Sequence, residues 1–480
     1  MLRLSWTQPE DLAPHGIQAA RLDGIDVDDL AREWVAAGGS LAAPVSGATP
    51  DPAPATLRAL GREILTRLDE RVAPESLRRK EPDDLAAILA LAGAVPASPV
   101  PASPVPASPV PASPVPASPV PASPVPASPV PASPVPADLF NRVHGAWLGR
   151  AAGCLLGKPV EKIPRAGIRA IAEATGNWPI AGYFTEVGLP PELARRYPWN
   201  RRSRTTSLVE NIDGMPEDDD LNFPLIALDL VERHGDGFTT FDVARSWLAY
   251  LPGGRVFTAE RIAYRNLLDG YEPEVAGAVG NPFRDWIGAQ IRTDVYGWTH
   301  PGDPLTAARL AWTDARLTHG RNGLYGAMFA AAACSAAVVA TDVRAVLDAG
   351  LSVVPPESRF AAAIALGAEL GGLSTEDALD VIHERYGHLH WVHVLNNAAV
   401  LAYALVRGDG DYASTITTAV TGGWDTDSVG ATAGSLAGAL TGAPALPSEW
   451  IAPLRNRLAS SVPGFDGIGF DTLAARTVAL

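Results

Sequence analysis

Two short acidic clusters hold most of the chemistry this sequence can offer. The first is Met215-Pro216-Glu217-Asp218-Asp219-Asp220-Leu221, four consecutive carboxylates set directly before an apolar run of helical pattern. A helix start explains part of it, because a proline and acids in the first turn complement the orphan N–H groups and the positive end of the macrodipole. One helix terminus does not need four carboxylates, and a hard divalent cation would relieve their mutual repulsion. The second cluster is Gly422-Gly423-Trp424-Asp425-Thr426-Asp427-Ser428, again before a helical run. Taken singly it fits a Gly-Asp turn with Ser428 as helix N-cap. Taken together, the clusters offer carboxylates and a hydroxyl, all oxygen donors, which suits magnesium or manganese rather than zinc. Aspartates of this kind can bridge two ions ~3.5–4 Å apart.

Elements far apart in the chain must bring these clusters together. One candidate helix carries Gly145, Gly149, Gly153 and Gly157, each four residues after the last and so on one face. Four glycines cost about 4 kcal/mol of helix propensity relative to alanine. Close approach of another backbone is the simplest compensation. Ala431, Gly434, Ala437 and Gly438 offer a similarly slim face just after the second acidic cluster. The two slim helices are therefore expected to pack together in the core and hold their flanking loops close. Pro159 ends the glycine helix, and Glu161 follows it. Further helical patterns run over Leu221–His234, Thr240–Leu251, Pro304–His319, Gly323–Ala340, Thr375–Tyr386, Trp391–Val406 and Ser428–Leu440. Alternating strand patterns are scarce, so the expected fold is an all-α, compact helical domain over 138–480.

From about Leu139 to the C-terminus the chain resembles the ADP-ribosylglycohydrolase family, whose members include dinitrogenase reductase-activating glycohydrolase and ADP-ribosylarginine hydrolases. The family's opening helix, GxxxGxxxGDxxGxPxE, corresponds to Gly145 through Glu161. Its Thr-Asp-Asp-Thr cluster corresponds to Glu217-Asp218-Asp219-Asp220, and its Gly-Asp-x-Asp-Thr/Ser cluster to Trp424-Asp425-Thr426-Asp427-Ser428. The resemblance implies an orthogonal helical bundle holding two Mg2+ ions (or Mn2+) on Glu217, Asp218, Asp219, Asp425, Asp427 and Ser428. Glu217 stands where the family has a ligand threonine, and Cys154 where it has an aspartate. The implied activity is hydrolysis of the glycosidic bond linking ADP-ribose to a protein side chain, base or small molecule. Its transition state would resemble an oxocarbenium ion, with Glu161, Asp219 and Asp427 as the catalytic carboxylates. His319, Tyr296 and Trp424 are the substrate-binding candidates, against polar-terminus or core-aromatic roles for the same residues. Two alternatives stand beside this reading: a hydrolase of a simpler ribosyl or phosphoribosyl compound, and a non-catalytic ADP-ribose-binding or structural member.

The remaining features bound the answer. Net charge is -15, from 38 basic and 53 acidic residues among 480. That balance argues against a general nucleic-acid binder, which needs a basic face. Two cysteines, Cys154 and Cys334, make neither a disulfide scaffold nor a zinc-finger spacing. With no apolar run long enough to span a membrane and no leader-like N-terminus, a cytoplasmic protein is expected. From Pro96 to Val135 the pentapeptide PASPV repeats eight times; its prolines favour extended polyproline II, as a semi-rigid spacer. Residues 1–95 read as a small helical module, with amphipathic helices over Asp28–Ala37 and Ala55–Arg71 but no chemical motif. That module or the proline-rich tract is the expected seat of any protein partner. His383, His388, His390 and His393 crowd eleven residues, a zinc site by one reading and ordinary polar or capping roles by the other. Arg201, Arg202 and Arg204 offer either a diphosphate clamp or a solvated basic loop.

Overall fold

The computed structural model describes residues 3–93 and 137–480. The spacer expectation falls on residues 96–137, almost wholly outside that range. The described residues are helical, and β structure is confined to isolated bridges such as Met215 with Leu458 and Trp286 with His393. No helix among them is long and apolar enough to cross a membrane.

At the centre lie two helices, Leu139–Gly157 and Thr426–Thr441, packed backbone against backbone. A Cβ placed on Gly145, Gly149 or Gly153 would overlap the carbonyl oxygen of Gly438, Gly434 or Gly430 respectively, and the reverse substitutions would overlap the first helix in turn. At Gly157 the obstacle is the Thr426 carbonyl. Glycine is thus required along the whole seam, and it is Gly430, Gly434 and Gly438 that answer the ladder. The Thr426 hydroxyl donates to the Gly157 carbonyl at 2.8 Å, and the Tyr412 hydroxyl to the Gly149 carbonyl at 2.9 Å. The first bond pins the end of the seam from which the Glu161 segment and the second acidic cluster leave, and the second pins its middle.

The first acidic cluster opens the helix Asp219–His234, two residues earlier than its apolar pattern suggests. Arg150, fully buried, ties that helix to the glycine helix: it donates to the Asp220 carbonyl at 2.7 Å and pairs with Asp294 at 2.8 Å. Around this pair lie the helices Thr240–Tyr250, Pro304–Ala315, Arg321–Ala337, Thr375–Tyr386 and Val394–Gly408. The helix Arg321–Ala337 is buried on nearly every side, as its alanine-rich sequence allows.

The N-terminal residues form the helices Pro9–Leu22, Asp28–Ala36, Ala55–Asp69, Glu75–Lys80 and Leu85–Ala92. Ala13, Ile17, Leu30, Trp34 and Ile64 close a small core of their own, while Trp6, Leu12, Leu65, Ile88 and Leu89 are buried in the main core. Charge fixes the contact as well. Arg321 pairs with Asp23 and Asp285, Arg359 pairs with Asp23 and Glu81, and Asn322 donates to Glu81 at 2.9 Å.

Candidate functional site

Each acidic cluster sits at a helix N-terminus, and each uses that position differently. Asp218 is the N-cap of its helix and accepts from the Asp220 amide at 3.0 Å. Asp425 holds the N-cap position of Thr426–Thr441 without capping it, and its carboxylate faces that of Asp427. The helix begins at Thr426 rather than Ser428, which puts Thr426, Asp427 and Ser428 in its first turn. The glycine seam sets the Thr426 start beside the end of the Leu139–Gly157 helix, and Arg150 holds the Asp219 start against that same helix. A single cavity of about 740 Å³ is lined by Asp218, Asp219, Asp220, Asp425, Asp427 and Ser428, with Glu161 among them.

The electrostatics record the crowding. Burial, then the neighbouring carboxylate charges, pushes Asp219, Asp220 and Asp425 well above the usual carboxylate range. Burial and the Glu161 charge push Asp427 up to about 7. Asp218 moves the other way. Burial would raise it, but the Lys158 ammonium bonded to its carboxylate more than offsets that and holds it low. Glu161 accepts from the Asn200 side-chain amide and pairs with Lys162 at 3.0 Å. The Lys162 ammonium in turn lies 4.8 Å from the centre of the Trp391 ring.

Two groups have potential ligand atoms all within 4.8 Å of one another: Glu161, Asp425 and Asp427, and Cys154, Asp218 and Asp220. Asp220 Oδ1 is buried and has no hydrogen-bond partner. Crowded oxygen donors, an orphaned carboxylate oxygen and carboxylates driven toward protonation all fit a hard divalent cation. Glu217 is set apart from both groups. Its carboxylate accepts from Asn222 at 3.0 Å and from the Ser461 amide at 3.2 Å, and it pairs with Arg255 at 3.0 Å. At Cys154, the thiol lies 3.8 Å from Asp220, so the acid lacking on the glycine helix is present on the facing one.

The three substrate-binding candidates do not line this cavity. His319 is buried behind it, its Nδ1 2.6 Å from the Thr318 hydroxyl, and burial lowers its pKa well below the ordinary histidine value. Tyr296 is fully buried, donates to Asp314 at 2.6 Å and stacks on Phe238. Trp424, with φ of 62°, turns away to stack on His383 at 3.8 Å. Their apolar surfaces are consumed by core packing. The aromatic groups that face the cavity are Trp6, Phe257 and Trp391. Arg202 also lines it, its guanidinium 4.6 Å from the centre of the Phe257 ring, whereas Arg204 pairs with Glu186. Of the histidine cluster, His383 bonds the Gly422 carbonyl and His393 caps Val394–Gly408; His388, His390 and His393 line a second cavity, but no group containing a histidine meets metal geometry among the described residues. Asn397 reaches the second cluster, its side-chain oxygen accepting from the Asp425 amide at 3.3 Å.

Several residues that build the site carried no signal in the sequence reading. Lys158 stood inside a quoted motif, and a buried lysine beside clustered acids is a readable countercharge. Asn200, Ser5, Trp6 and Ser46 lie in irregular segments where neither periodicity nor motif marks them.

The ADP-ribosylglycohydrolase family model matches residues 135–477. A solved structure described as an ADP-ribosylglycohydrolase-related protein complex is similar at 22% identity and a TM-score of 0.45, over 71% of this chain and 98% of that one. No curated protein matches the chain.

Proposed function

Since the chain belongs to the ADP-ribosylglycohydrolase family, a family of glycosidic-bond hydrolases, we propose that its carboxylate cleft cuts the bond between ADP-ribose and a protein side chain, base or small molecule. Asp218, Asp219, Asp425, Asp427 and Ser428 would hold two divalent cations, Mg2+ or Mn2+, with Asp220 beside them. Such ions, when bound, supply charge for the sugar hydroxyls and acidify water. Glu217, which also lines the cavity, is held by Asn222, Ser461 and Arg255 and supports the Asp219–His234 helix start.

The chain's own groups divide the remaining work. Glu161 is fixed by Asn200 and Lys162 at the mouth of the second cluster, a position from which it can take a proton from water or return one to the leaving group. The density of carboxylates favours the positive charge that develops on the sugar ring as the bond breaks. Phe257 and Trp391 offer apolar faces, and Arg202 a cationic one, for the part of the substrate that does not react.

The observation that carries the reading is the meeting of both acidic clusters and Glu161 in one cavity. Calorimetry with Mg2+ and ADP-ribose tests it. Metal-dependent ADP-ribose binding is expected in the wild type and its loss in Asp427→Ala. ADP-ribose binding that ignores both the metal and Asp427 would overturn the assignment.

A further inference from the structure

The family match begins at residue 135, yet the cavity that holds the carboxylates is also lined by Ser5, Trp6 and Ser46. These residues reach the cleft through a defined set of contacts. Arg261 donates to the Ser5 carbonyl at 2.8 Å and to its hydroxyl at 3.2 Å. Trp391, itself a cleft residue, donates to the Val45 carbonyl at 2.9 Å. The Trp6 ring meets Phe283 and Trp286 edge-on, each at 5.4 Å between centroids, and its backbone is held at φ of 63° with its amide on the Gly47 carbonyl. A non-glycine residue in the left-handed region persists only where its surroundings fix it.

The rest of the module is locked down some way from the cleft. Asp23 and Glu81 are buried and paired with Arg321 and Arg359, and Tyr325 donates to the Pro82 carbonyl at 2.6 Å. Buried charges paired across a contact resist separation, because parting them strands each in a low-dielectric setting. The cleft wall is thus backed by a firm joint. None of the contacts to Ser5, Trp6 or Ser46 involves the clustered carboxylates. What this wall can offer a ligand is two hydroxyls and the small part of the indole left open by its aromatic neighbours, close to the Phe257 and Trp391 rings and the Arg202 guanidinium. That combination suits a planar base and a polar or anionic linker rather than a reacting sugar.

We propose that residues 3–93 are part of the ligand site, their Ser5–Trp6 turn and Ser46 forming a wall that recognises the nucleotide portion of an ADP-ribosyl substrate away from the scissile bond. The inference rests on the proposed function for its choice of ligand. Selectivity for an ADP-ribosyl over a simple ribosyl conjugate then resides partly outside the family-matched region.

The test uses the full chain in three forms: wild type, Ser46→Trp to fill the wall, and Arg321→Ala/Arg359→Ala to loosen the joint. Calorimetry with ADP-ribose and with ribose 5-phosphate, both in Mg2+, is paired with Mn2+ titration by electron paramagnetic resonance. In Ser46→Trp, ADP-ribose affinity is expected to fall at least tenfold, with ribose 5-phosphate and Mn2+ affinities within twofold of wild type. A folded Ser46→Trp protein that binds ADP-ribose as wild type does, or that loses both sugars equally, overturns the proposal. A ligand-free arm separates this claim from the functional one. Cys154 and Cys334 are buried, so a Thr206→Cys thiol at a half-buried position of the cleft lining reports access. Labelling by a polymer-linked maleimide is expected to be at least tenfold faster in the loosened variant than in the intact chain. Equal rates overturn the wall. Shielding without any ADP-ribose binding in the wild type retains the wall but removes the nucleotide from the proposal.

Discussion

Adding a single methyl group at Gly153 should damage both stability and activity, although alanine is the better helix former. In isolation Gly→Ala gains about 1 kcal/mol of helix propensity. Here the new Cβ would overlap the Gly430 carbonyl, a backbone atom that cannot rotate aside. The helices would have to part by roughly 1 Å to reach ordinary contact, and overpacking of this kind costs about 1–3 kcal/mol, more where backbone must shift. The separation would also strip contact from the Gly145–Gly438 and Gly149–Gly434 crossings. A net loss of about 2 kcal/mol is expected, or a melting temperature lower by about 3 °C in a domain of this size. Asp425 and Asp427 ride on the displaced helix while Asp218 and Asp220 do not, and a misplacement of ~1 Å between catalytic groups can cost about 100-fold in rate. Calorimetric melting and ADP-ribose release should be compared for wild type, Gly153→Ala and Gly237→Ala, the last having open space around its Cβ. A Gly153→Ala protein as stable and as active as the Gly237→Ala control would refute the claim that the seam sets the site.

The stability contributed by the buried neutral histidines should fall as pH drops from about 6.5 toward 4, against an opposite contribution from the raised carboxylates of the cleft. Burial lowers His15 and His393 from 6.5 to about 4 at the joint between the N-terminal helices and the main body. The unfolded chain therefore binds more protons in that window, and each histidine contributes about 3 kcal/mol above it that is lost as pH approaches the folded value. Between pH 7.5 and 5.0 the melting temperature of wild type should fall relative to that of His15→Phe by about 2 °C; the same pH response in the two proteins would count against a buried neutral imidazole at His15. Lys158→Met should lower the melting temperature in a chelator and enlarge the stabilisation produced by Mn2+, because the ammonium on Asp218 neutralises carboxylates that a cation would otherwise share. An unchanged Mn2+ response would show that Lys158 does not compete at the site.

The reading of sequence into structure succeeded where a physical requirement left a spacing. The four-residue glycine repeat demanded a backbone neighbour, and Gly430, Gly434 and Gly438 provide it. The acidic runs before apolar helices marked both helix starts, and the ordered motifs marked the family. It was weaker where a residue's role depends on which side faces the core. Tyr296 and Trp424 have aromatic rings suited to a nucleotide, but their rings are used by Phe238 and His383, and nothing in the local sequence separates a stacked core ring from a ligand platform. Glu217 looked like its neighbours in a run of acids, yet its partners Asn222, Ser461 and Arg255 come from elsewhere in the chain. Trp6 and Ser46 sit in turns without periodicity, so only tertiary contact brings them to the cleft.

Anomalous scattering from Mn2+-soaked crystals of the full chain tests the central claim most directly. The account predicts two peaks roughly 3.5–4 Å apart, between the Asp218–Asp219 turn and Asp425, Asp427 and Ser428, that disappear in Asp427→Ala. Manganese found only at surface carboxylates, with the Lys158 ammonium still seated on Asp218, would contradict it.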